Sequence, residues 1–89
     1  ENPVFLARNI KVIGIPQIIG KNNDIIKFII SGEKVMYEVI GLNMIEKYEY
    51  LISGKKIDIV YEIKDNNLKT KSSIQLNLKD IKIRDNIHA

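Results

Sequence analysis

Ile57, Ile59, Tyr61 and Ile63 alternate with Asp58, Val60 and Glu62. A period of two marks a strand with one face buried, and it constrains this chain more than any other feature. The same period recurs elsewhere. In residues 25–31, Ile26, Phe28 and Ile30 oppose Lys27. In residues 35–40, Val35, Tyr37 and Val39 oppose Met36, Glu38 and Ile40, and six residues leave open which set faces inward. In residues 72–79, Ile74, Leu76 and Leu78 are expected inward and Gln75, Asn77 and Lys79 outward, with residues 80–83 prolonging the strand. Isoleucine dominates the apolar residues. Its branched side chain is stiff at the first torsion and suits a pleated surface better than a helix.

The first strand is long, residues 5–19, and is interrupted at Gly14 and Pro16. Such a pair inside a strand marks a bulge or a sharp bend, and a bent strand can serve two parts of a curled sheet. Turn-forming residues fill 20–24, 31–34 and 65–71. Between the third and fourth strands the period changes. Met44, Tyr48 and Leu51 fall at helical spacing, Asn43 and Glu46 have the spacing of a capping box, and Gly54 is placed to stop the helix. The expected fold is therefore mainly β: a five-stranded OB-type Greek-key barrel with one short helix between strands 3 and 4. An SH3-like barrel or a small α+β sheet has the same elements; the bent first strand and the place of the helix favour the OB order. Residues 1–83 form the expected domain, and 84–89 an expected frayed tail.

Eighty-nine residues, 45% hydrophobic and 28% charged, suit one globular domain. The chain opens Glu1-Asn2-Pro3 rather than with Met, which fits a piece from the C-terminal part of a larger protein. No basic start followed by an apolar run suggests a signal peptide, and no stretch nears the ~20 apolar residues of a membrane helix. There is no cysteine, so disulfides and thiolate metal sites are excluded; a reducing compartment fits. Catalysis lacks its usual parts. The one histidine, His88, stands next to the last residue, and no P-loop, HExxH or dense acidic cluster is present. No catalytic residue and no metal ligand are expected in the chain.

Binding is better supported. An OB barrel holds single strands or oligosaccharides on the face of strands 2 and 3, between the loops joining strands 1–2 and 4–5. Here the first loop carries Lys21, Asn22 and Asn23, with Lys27 projecting from the next strand. The second is flanked and filled by Lys64, Asn66, Asn67, Lys69 and Lys71. Lysine neutralises phosphate, and asparagine bonds phosphate or base edges; both are also ordinary turn residues. The net charge of +3 is only mildly basic. Aromatic platforms are scarce: Phe28, Tyr61 and Tyr48 are expected in the core, and Tyr37 fits core or platform equally.

Asn2-Pro3-Val4-Phe5, the extended run Arg8 to Gly14, the Gly20 turn and Ser73-Ile74-Gln75-Leu76-Asn77-Leu78-Lys79-Asp80-Ile81 together resemble the OB domain of the bacterial RecJ single-strand-specific DNA exonucleases. The opening is shorter than the family's Asn-Pro-x-Pro-Val-Phe. Ile25-Ile26-Lys27 stands where His-Leu-Lys is common, so only the lysine matches. The resemblance implies a cytoplasmic parent acting in DNA repair and recombination. Such a parent degrades single-stranded DNA from its 5′ end with Mn²⁺ or Mg²⁺ in separate catalytic domains. This chain would then be a non-catalytic module that guides the DNA strand. The alternative is a structural or docking module that braces the catalytic core or receives a partner such as single-strand-binding protein. An RNA- or sugar-binding OB domain is a third reading.

Overall fold

A computed structural model describes residues 3–63 and 73–84. Six strands make one sheet: β1 (Phe5–Ile10), β2 (Val12–Ile19), β3 (Ile25–Ser31), β4 (Met36–Leu42), β5 (Ile57–Ile63) and β6 (Ser73–Ile83). Their order is β1-β5-β6-β4-β3-β2. All neighbouring pairs are antiparallel except β4 with β6.

The expected five strands are thus six, because the first segment divides, and the six form an open sheet rather than the expected barrel. The break falls at Lys11, before the expected Gly14, and Asn9 at φ 62° marks the irregularity that precedes it. Asparagine tolerates this left-handed region better than most residues. Gly14 (φ 73°) and Pro16 lie in a second irregularity, between Ile13 and Gln17, as their residue types predict. The two outermost strands of the sheet are consecutive in the chain, so one bent segment supplies both edges.

The core lies on the inner face of this sheet. Ile26, Phe28 and Ile30 of β3, Ile57 and Ile59 of β5, and Leu76 and Leu78 of β6 are buried as expected. In β4 the open question resolves with Val39 buried and Tyr37 packed against the core. Ile74 and Ile63, on the inner-facing phase of their strands, lie past the rim of the core and are exposed. β6 does not alternate throughout. Val60 pairs with Asp80 but Tyr61 with Leu78, so Lys79 is an extra residue. The bulge reverses the phase and turns Ile81 inward.

The helix is shorter than expected and its capping box does not form. A 3₁₀ turn, Ile45–Lys47, leads into a single α-helical turn, α1 (Tyr48–Leu51). Asn43 sits at φ 57°, and its N–H donates to the Asp24 carbonyl at 2.8 Å. The residue is used to turn the chain out of β4 and is not the N-cap. Leu51 is buried, and the Tyr48 hydroxyl donates to the Pro16 carbonyl at 3.1 Å, tying the helix to the bend in β2. Gly54 has the left-handed φ expected, 82°, but it does not stop the helix: α1 ends at Leu51 with Ile52 as its C-cap, two residues before Gly54. No helix among the described residues is long and apolar enough to cross a membrane.

Candidate nucleic-acid interface

The turn at residues 20–24 is built by Gly20 (φ 98°) and Asn23 (φ 53°), with the Asn23 N–H donating to the Gly20 carbonyl at 3.1 Å. Lys21, Asn22 and Asn23 are exposed on it. Lys27 projects from the outer face of β3, but its ammonium lies 3.1 Å from a Glu38 carboxylate oxygen on β4. Glu38 also accepts a bond of 3.1 Å from the Gln75 amide on β6. Three strands are thereby laced together by one half-buried polar group. Lys64, Asn66, Asn67, Lys69 and Lys71 lie outside the described residues.

Around that lacing the outer face of β2, β3 and β4 is apolar. Ile19, Ile25 and Leu42 form one cross-strand row and Ile13 pairs with Ile29 in another, with Ile40 and Met36 on the same face. Leu42 is 62% and Met36 47% exposed. Lys27 is the expected contact on this face, and the apolar side chains around it are the unexpected feature.

A second group of charges occupies the outer face of β1, β5 and β6. The N–H of Asn9 donates to Asp58 Oδ1 at 2.9 Å. Nη1 of Arg84 donates to Oδ2 at 3.0 Å and Oδ1 at 3.2 Å. Asp58 thus fixes both the irregularity in β1 and the end of β6. Arg84 stood at the head of the expected tail, yet its own N–H donates to the Lys56 carbonyl at 2.9 Å. Lys82 pairs with Asp58 across the strands, and Arg8, Asp58, Asp80 and Lys82 line a cleft of about 230 Å³.

The Asn9 N–H, with Arg84 and Arg8, holds the Asp58 carboxyl below its ordinary value, against the opposing effect of burial. A folded-state pKa that is depressed adds stability above the unfolded value, about 3.9, and loses it as pH falls through the folded value. Asp58→Asn keeps the shape and removes the charge. The variant is expected to melt below wild type at neutral pH, with the gap closing as pH is lowered beneath about 4. Thermal melts of both proteins from pH 7 to 2.5 check this. A gap independent of pH would assign the effect to shape alone.

Among the described residues, no three His, Cys, Asp or Glu side chains are grouped so as to hold a metal ion. The polar features of the site are two surface networks, one on each outer half of the sheet, together with an exposed lysine-asparagine turn. No curated protein and no solved structure gives a significant match to the chain. A family model described as the RecJ OB domain matches residues 1–80. That covers all but the last nine residues, and the chain belongs to the RecJ OB domain family.

Proposed function

We propose that this chain is a non-catalytic module that binds single-stranded DNA and guides it into the catalytic core of a RecJ-like cytoplasmic 5′→3′ exonuclease, which works with Mn²⁺ or Mg²⁺ outside these residues. The observation that carries the reading is the family match over residues 1–80. The mainly β sheet is compatible with it: β4 lies parallel to β6, and β1 and β2, consecutive in the chain, form its two edges. Lys21, Asn22 and Asn23, with Lys64, Asn66, Asn67, Lys69 and Lys71 from the other loop, are the proposed groove contacts. Lys27 contributes less, because its charge is already met by Glu38.

Binding is expected to be weak, mainly electrostatic and nearly indifferent to sequence. Stacking on aromatic side chains adds about 1–3 kcal/mol per base where it occurs. Here Phe28 is buried and Tyr37, Tyr48 and Tyr61 pack against the core. Fluorescence anisotropy with a labelled oligo(dT) is the test. About four phosphate contacts in the loop groove alone give a log–log dependence on salt with a slope near −3, from about −0.7 per contact, so the measured slope should be at least that steep. The labelled strand should stay full-length with Mn²⁺ present. Absence of binding at low salt, or stoichiometric shortening of the strand by the purified chain, would overturn the proposal.

The apolar outer face of β2, β3 and β4 favours a second reading, a docking module for the rest of the parent or for single-strand-binding protein. Oligonucleotide binding that is absent in this chain, together with loss of parent stability on Leu42→Asp, would make that the better reading.

A further inference from the structure

We propose that Arg8, Lys56, Lys82 and Arg84 form a second phosphate-binding surface for single-stranded DNA, on the outer face of β1, β5 and β6 and apart from the loop groove. The proposal rests on the single-stranded DNA reading and adds to it a place of contact.

Strand phase and pairing bring the four cations together. The bulge at Lys79 turns Lys82 to the side of Asp58; Arg84, just past β6, reaches the same carboxylate, and its N–H meets the carbonyl of Lys56, which immediately precedes β5. Arg8 joins them from β1, close enough to Asp58 to lower its pKa. Both arginines of the protein are in this group. Same-face neighbours along a strand stand about 6.5–7 Å apart, and adjacent strands about 4.8 Å. Cations in such an array can meet successive phosphates of an extended strand.

Two acidic groups share this face: Asp58 is sheltered and engaged, whereas Asp80 is 68% exposed and only one of its oxygens is engaged. Asp58 is sheltered, its side chain 19% exposed, and it braces Arg84 through one guanidinium nitrogen, Nη1. The other N–H groups of that planar fork suit the oxygens of a phosphate. Asp80 accepts the N–H of Ile81 at 2.8 Å and lies 3.9 Å from Lys47. Arg8, Lys56, Lys82 and Arg84 are all exposed. The other outer half of the sheet offers a contrast, since its lysine is bound to a glutamate amid isoleucines.

The test is oligo(dT) binding by the 89-residue chain, wild type against Arg8→Ala/Lys82→Ala. Neither side chain is buried, and Asp58 keeps its bonds to Asn9 and Arg84, so the variant should melt with wild type. The pair is expected to bind several-fold more weakly at low salt and to flatten the salt slope by about 1.4, since two cations no longer neutralise phosphate. Lys21→Ala should flatten it separately, by about 0.7. A double variant that binds with the wild-type affinity and slope overturns this surface while leaving the single-strand reading intact. A wild type that does not bind overturns both. Polyglutamate of matched charge that displaces the oligonucleotide with equal potency would also overturn the proposal, showing a surface for acidic protein instead.

Discussion

Phe28→Ala, which removes the largest fully buried side chain among the described residues, is expected to cost about 3–5 kcal/mol. The ring is 2% exposed and lies at the middle of β3, paired across to Val39 and flanked along the strand by Ile26 and Ile30. Removing it deletes apolar area and leaves a cavity walled by β-branched side chains. These have few rotamers with which to refill the space. At 0.05–0.15 kcal/mol per residue, a chain of this length has a total stability of about 4–13 kcal/mol. The variant should therefore lose a large fraction of its stability and melt about 12–40 °C below wild type. A urea melt with unchanged slope and a much lower midpoint is the expected result. A midpoint within error of wild type would place the ring outside the core.

Leu76→Ala follows, at about 2–5 kcal/mol, and is most informative beside Ile74→Ala. The two residues point the same way from β6, yet Leu76 is 3% exposed and Ile74 42%. Leu76 pairs with Val39 on one side and Ile63 on the other, whereas Ile74 sits by Tyr37 at the rim. The Ile74 variant should lose about 1 kcal/mol or less, since much of its surface already meets water. Equal costs at the two positions would mean that the pairing of β4 with β6 is not the one described. A one-residue slip would expose the whole face.

Alternation alone suffices for the inner faces of β3 and β5, because each strand has one phase and a consistent apolar set. It fails in β6. There the apolar phase passes from Ile74, Leu76 and Leu78 to Ile81 and Ile83, and that shift is visible in the residues themselves. Read as a bulge, it would have turned Lys82 and Arg84 outward and brought them next to Asp58. The irregularity at Asn9 and the break at Lys11 have no glycine or proline to announce them. The helix misled for a related reason: Asn43 has the chemistry of a cap and also that of a left-handed turn, and the demand to leave β4 decided between them. The outward direction of Lys27 was legible. Its partner was not, since Glu38 comes within reach only through the β3–β4 register. Of the expected groove, Lys21, Asn22 and Asn23 lie on the turn their composition suggested, and the residues of the second loop fall outside the described ones.

The place of β6 in the sheet has a consequence for how the molecule is made. β6 is the last of the described strands, yet it lies between β5 and β4. Before residues 73–83 emerge during synthesis, the strands can form only two separate ribbons, β1 with β5 and the meander β2–β3–β4. The meander pairs residues close in sequence. The β1–β5 ribbon must bring Phe5 to Tyr61, and the parallel β4–β6 seam is closed by no hairpin turn. The entropy of closing such loops is lost before the strands gain from pairing, which places the chain among the slower small folders, on a scale of milliseconds to seconds. Through that interval β4 and β5 each hold an open edge toward a strand that has not arrived. Association between nascent or newly released chains is expected to begin at those edges.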